Sequence, residues 1–267
     1  MRKFSLLLLV MMASIAAGPQ DDLVRARQLY NQQLYNLAID SATAARRAPQ
    51  LADTATLIIA RALLERFRKE SHAADLEAAR NELQQIRPAG LNPADQLELV
   101  IALGEALFLD DKPGAAAEEF EMALERVDPK NPTARERILD WWASAIDRQA
   151  QQRPEAERPP LYARVIDKME EELHRDPASA AASYWLVAGA RGGGDLERAW
   201  DAAFAAWARA SFTGDRRLQL RADLDQIVTQ AIIPERARLL SPPGGAAQSV
   251  AAMRNEWDAL KQSWSAQ

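Results

Sequence analysis

Apolar and small residues recur along the chain in short bursts at helical spacing, separated by turns rich in Pro, Gly and Asp. The stretch "GEALFLDDKPGAAAEEFEMALERVDP" (Gly104 to Pro129) shows the pattern most plainly. Two runs with apolar residues three and four apart flank an Asp-Lys-Pro-Gly turn, Asp111–Gly114, which predicts two helices folded back on each other. The same second half recurs in Gln28–Pro49, Asp75–Pro88 and Gly193–Ala210. Each copy places an alanine at one equivalent position: Ala38, Ala79, Ala116 and Ala199, at intervals of 41, 37 and 83 residues. The last interval is close to twice 41, so a further unit is expected between Ala116 and Ala199. "ILDWWASAIDR" and "LYARVIDKMEEELHRDP" fill that place. Abundant alanine, 11 glycines and few β-branched runs make the whole chain an all-α prediction.

Departures from the period are informative too. "ERFRKESHAAD" (Glu65–Asp75) lengthens the second unit, whereas "QAQQRPEAERPP" (Gln149–Pro160) carries three prolines and predicts an exposed loop. Beyond Phe212, "TGD" marks a new helix with Asp215 as its expected N-cap. Leu220, Leu224, Ile227, Val228 and Ala231 form its apolar face, and Pro234 suits the first turn of a further short helix. "SPPGG" (Ser241–Gly245) breaks the chain before a final amphipathic helix. Its Met253, Trp257, Leu260 and Trp264 share one stripe. That stripe is expected to cover the end of the preceding helices.

In the central copy, Leu103-Gly104 is followed by Leu107, Ala116, Phe120, Ala123 and a closing Pro129. This resembles the tetratricopeptide repeat, W-x2-L-G-x2-Y, then A-x3-F, then Pro, with Val100 where Trp is typical and Leu107 where Tyr is typical. The observed period exceeds the family's roughly 34 residues because the turns carry insertions. The resemblance implies an all-α solenoid of about five helical hairpins over residues 21–212. Capping helices at 213–240, a linker at 241–245 and a terminal amphipathic helix at 246–267 complete it. It also implies a scaffold or adaptor whose first helices line a groove for a protein or peptide partner. Carried over unit by unit, the groove residues are Arg27, Tyr30 and Asn31; Arg61 and Glu65; Glu98, Glu105 and Phe108; Asp147 and Arg148; and Tyr184 and Arg191.

The first eighteen residues have a separate layout. Arg2 and Lys3 precede the apolar run Phe4–Met12 and the small-residue stretch "ASIAAG", with Ser14 and Ala16 as an A-x-A-like pair. That is the layout of a secretory signal peptide over 1–18, too short for a comfortable membrane span. Export to a periplasmic or cell-envelope compartment is therefore expected, with an uncleaved N-terminal anchor as the alternative. Cleavage removes two positive charges from a chain of formal net charge −5. An acidic mature chain, with its paired arginines Arg46-Arg47 and Arg216-Arg217 set among acids or at helix ends, argues against nucleic acid as a partner. With no cysteine, there is neither a disulfide nor a thiol nucleophile.

No constellation argues for catalysis, a cofactor or a metal. Glu171 and His174 form one E-x-x-H pair, but a di-iron centre needs a second, and Lys69 stands three residues before the other histidine, His72. Arg191-Gly-Gly-Gly-Asp195 has a phosphate loop's glycines without its Lys-Ser/Thr ending, so it is expected to be a helix-to-helix turn. The tryptophans of the later helices are expected in packing between units, with an aromatic-lined groove also compatible. Two other functions stay open at this stage: a binding protein for a small apolar ligand near Trp185 and Trp200, and a helical enzyme without a recognisable motif.

Overall fold

A computed structural model describes residues 18–242 and 245–264. The leader assigned to 1–18 lies outside the described residues apart from Gly18, as do two residues of the "SPPGG" break. Among the described residues every regular element is helical and no strand occurs. The chain divides into two compact units, with the boundary between Leu99 and Val100. It falls inside the helix α5 (Pro93–Leu109).

The first unit holds α1 (Pro19–Asn31), α2 (Tyr35–Ala45), α3 (Ala52–Glu70), α4 (Ala73–Gln85) and the start of α5. From α1 to α4 each helix packs on the next, and α1 also touches α3. The sequence makes these contacts close by placing alanine at them: Ala38, Ala42, Ala45 and Ala79 are all 0% exposed. A missing side chain at these points lets backbones approach and gives Leu57, Leu64 and Ile59 room to fill the core. Turns between helices need left-handed backbone, supplied at Gln33 (φ 61°) and Ser71 (φ 57°). The extra length of the second unit is taken up by α3, which runs 19 residues.

The second unit contains the rest of α5, then α6 (Pro113–Arg126), α7 (Pro132–Gln151), α8 (Pro159–Arg175), α9 (Ala180–Gly192) and α10 (Leu196–Arg209). It continues through α11 (Arg217–Ile227), a π-helical turn (Val228–Ile232), α12 (Ile233–Leu240) and α13 (Ala246–Ser263). Proline opens α6, α7 and α8, where its missing N–H would have had no intrahelical partner. Asn131, Ser179 and Asp195 cap α7, α9 and α10 through their side chains. Consecutive helices pack together, and α7 touches α9 while α9 touches α11. A Cβ on Gly104 would stand 2.7 Å from the Phe120 ring, so that glycine is what lets α5 and α6 close on each other here.

Two local expectations are corrected. Asp215 does not cap a helix: it sits in a 3-10 turn (Gly214–Arg216), and α11 begins only at Arg217. The Pro-rich loop is also shorter than expected. α7 continues through Gln151 and α8 takes Pro159 and Pro160 into its first turn, where proline is tolerated, leaving about one exposed 3-10 turn between them.

Buried charge braces this unit. Glu172 of α8, 2% exposed, is gripped by Arg135 of α7 and by Arg175 one turn along its own helix. Burial pushes the Glu172 carboxyl up, but the two guanidinium groups outweigh it and hold it below the ordinary range. Glu136 of α7 accepts from Ser179 Oγ and from the backbone N–H groups of Ala180 and Ala181, which anchors the start of α9. At the far end, Trp257 of α13 is 0% exposed against Trp200, Phe204 and Trp207 of α10, and its indole N–H donates to Asp225 at 2.8 Å. Trp264, from the same stripe, stays 37% exposed.

Candidate functional site

Within the second unit, α7 and α9 each carry a pair of polar residues seven apart, Asp140 and Asp147, and Tyr184 and Arg191. Seven residues is close to two α-helical turns, so each of these pairs shares one face of its helix. Asp223 of α11 and Gln230 of the π-helical turn that follows it are also seven apart. Asp147 lines one cleft with Tyr184 and Arg191, and Asp223 and Gln230 line an adjoining hollow with the same two residues.

The cleft measures about 440 Å³ and is lined by Asp147, Gln151, Arg158, Tyr162, Tyr184, Trp185, Arg191, Gly192, Ile227 and Glu235. Asp147 accepts from the Tyr162 hydroxyl at 2.7 Å and from Gln151 Nε2 at 2.6 Å. Trp185 donates its indole N–H to Asp140 at 2.7 Å and meets Tyr184 edge to face at 5.3 Å. Arg191 reaches across to Glu235 of α12 with Nε at 3.1 Å from one oxygen and Nη2 at 2.6 Å from the other. That bidentate pair fixes the guanidinium plane. A second hollow of about 270 Å³ adjoins it, sharing Tyr184, Arg191 and Ile227 and adding Asp223, Gln226 and Gln230.

The glycine run "RGGGD" is explained by this cleft. A Cβ on Gly192 would collide with the Tyr162 ring, so glycine there lets α8 present its tyrosine to Asp147. Gly194 has φ 86°, the left-handed conformation of the turn into α10, and Asp195 caps that helix. The run is thus a helix-to-helix turn with one packing function.

Electrostatics define what the cleft can do. Burial, and then the hydrogen bond to Asp147, pushes the Tyr162 phenol well up, so it remains a donor. Burial first, and then the carboxylates Asp223, Asp147 and Asp140, pushes the Tyr184 phenol up. Arg191 is held charged chiefly by its hydrogen bond to Glu235. The chemistry on offer is stacking, hydrogen bonding and charge pairing.

Of the twelve sequence-predicted groove residues, the structure gathers Asp147, Tyr184 and Arg191 in this cleft. Arg148 lies elsewhere on α7, paired with Asp111 at 2.9 Å and stacked over Phe108 at 5.0 Å. Phe108 packs edge to face on Trp141, and Glu105 is buried at 7% exposure. In the first unit, Arg61 stacks over Tyr30 at 4.6 Å and pairs with Glu98 at 2.8 Å. Arg27 binds both oxygens of Asp95 at 2.9 Å, Glu65 pairs with Arg68, and Asn31 is exposed at the end of α1.

Sequence reasoning missed Tyr162, Gln151 and Glu235, and named Trp185 only for the alternative apolar-ligand site. Tyr162 belongs to a second helix of a pair, outside the expected groove face, although Gly192 was a signal that something must approach it. Elsewhere, His174 bonds the Glu170 carbonyl and Glu171 pairs with Lys168, so that E-x-x-H pair is a solvated helix end. Glu70, His72 and Asp75 bring ligand atoms within 4.8 Å of one another, but Arg66 already holds both oxygens of Asp75. No family model, curated protein or solved structure matches this chain.

Proposed function

We propose that the chain is a helical-repeat scaffold of the tetratricopeptide type, and that the face of α7, α9 and α11 holds an extended peptide segment of a partner protein. The observation that carries this reading is the convergence of Asp147, Tyr184, Arg191, Asp223 and Gln230 on two adjoining polar hollows. An extended chain presents backbone donors and acceptors along its whole length. A row of amide, hydroxyl and carboxylate groups crossing three helices suits that demand better than a closed pocket does. Packing of successive helices, with α1 on α3, α7 on α9 and α9 on α11 and alanine at the close contacts, supports the repeat assignment. Around Trp200 the apolar surface is covered by Trp257 and Phe204, with Trp207 on the far side of Trp257, which weighs against a small apolar ligand there. The leader-like start supports a cell-envelope setting, where the partner would be another exported protein.

Display selection from a random 12-residue peptide library against the chain from Pro19 onward tests the reading. Selected peptides should bind in solution and lose about tenfold or more of their affinity on Tyr184→Ala, the loss expected for a central aromatic contact. Selection of peptides indifferent to Tyr184→Ala would overturn it.

A further inference from the structure

We propose that the subsite around Tyr184 takes a basic side chain, so that the partner segment is one carrying an arginine or lysine at its centre. The inference rests on the groove reading and names its occupant. Tyr184 lines the cleft with Asp147 and the adjoining hollow with Asp223, and its neighbour Trp185 donates to a third carboxylate, Asp140. The Tyr184 hydroxyl has no hydrogen-bond partner among the described residues, and the ring stands edge to face with Trp185. Acidic groups around an aromatic pair form a seat that attracts a cation by charge and by the ring faces together.

The two arginines of the cleft do not cancel this preference. Arg191 is paired bidentately with Glu235, and Arg158, whose Nε donates to the Arg153 carbonyl at 3.0 Å, shares the cleft with a further carboxylate, Glu155. Asp147 is satisfied by two neutral donors, Tyr162 and Gln151, and Asp223 by Gln219, and neither makes an ion pair among the described residues. Incoming acidic side chains would meet three like charges; an arginine would meet opposite ones and a flat ring to lie on. The carboxylates come from two different helices, α7 and α11, with Tyr184 on α9 between them, so the preference belongs to the folded face.

The test uses three synthetic peptides, identical 12-residue Gly/Ser chains with arginine, citrulline or glutamate at the centre, titrated by fluorescence anisotropy into the chain from Pro19 onward. Citrulline keeps the shape and hydrogen-bonding of arginine but not its charge. The arginine peptide should bind about tenfold tighter than the citrulline peptide at low salt, and the glutamate peptide weakest. Asp223→Asn should reduce the arginine advantage several-fold while leaving citrulline affinity unchanged. Equal binding of arginine and citrulline, with both weakened by Tyr184→Ala, would overturn the cationic preference and leave the groove standing. No saturable binding of the arginine peptide, or binding indifferent to Tyr184→Ala, would overturn the groove and the preference together.

Discussion

The polar face of α1, α3 and the start of α5 in the first unit differs from that of α7, α9 and α11 in the second, although both are built from the same paired helices. In the first, charge is matched internally. Arg27 is tied to Asp95, Arg61 lies on Tyr30 and pairs with Glu98, and Asp95 also accepts from Thr54 and Asn92. In the second, among the described residues, Asp140, Asp147 and Asp223 accept hydrogen bonds from neutral donors and make no ion pair, and Tyr184 presents its hydroxyl with no partner. The difference teaches that repeat geometry alone does not make a binding face. What matters is whether the side chains projecting from it are matched to one another or left for a ligand. In the second unit the matched charges lie away from the face instead, at Arg135–Glu172–Arg175.

This contrast predicts where substitutions act. The largest effect belongs to Glu172→Ala, which strands Arg135 inside the α7–α8 contact. It should cost roughly 4 kcal/mol of stability in denaturant unfolding. Because the Glu172 carboxyl is held below its ordinary value of 4.5, its contribution is present in full above that value and is lost as pH falls through the lower, folded one. The stability gap between the wild-type chain and Glu172→Gln should therefore be constant at neutral pH and close as the pH falls below 4.5. A gap that widens on acidification would contradict the sign.

Next comes Asp95→Ala in the first unit, expected to cost about 3 kcal/mol because Asp95 is 3% exposed and gathers donors from three residues. It should leave peptide binding by the second unit unchanged. Loss of binding in a folded Asp95→Ala chain would break the division between the two faces. Gly192→Ala is expected to cost about 2 kcal/mol by driving the Tyr162 ring off Asp147, and to weaken binding as well. The smallest stability change, below about 1 kcal/mol, is expected for Tyr184→Ala, a half-exposed side chain whose hydroxyl lacks a partner among the described residues. Its effect should appear in binding instead. A large fall in its melting temperature would mean that Tyr184 is a packing residue.

How much of this was legible beforehand follows from the kind of information each feature uses. The helix pairs were legible because close packing demands small residues at fixed places. Ala38, Ala79, Ala116 and Ala199, picked out by spacing, are all 0% exposed. Trp257 was placed on a stripe that needed cover, and it is buried, while Trp264 on the same stripe is not, since the helix ends beside it. The start of α11 was misplaced because an Asp after Gly suits an N-cap and a 3-10 turn equally well. The cleft was half legible. Asp147, Tyr184 and Arg191 follow from the groove face that the tetratricopeptide resemblance implies, whereas Tyr162 and Glu235 arrive from α8 and α12, whose positions depend on turn lengths that carry no period. Only the tertiary structure brings Glu235 to Arg191, 44 residues away in the chain.

The central claim is that a partner peptide lies across α7, α9 and α11. Photo-crosslinking tests it most directly: p-benzoylphenylalanine is placed in turn at Ala188 or Gln226, in and beside the cleft, and at Glu65 on the face of the first unit. Each variant is irradiated with the arginine-centred peptide. The account predicts crosslinks from positions 188 and 226 that an excess of unlabelled peptide competes away, and none from position 65. Crosslinks from position 65 alone, or equal and uncompeted labelling at all three positions, would contradict it.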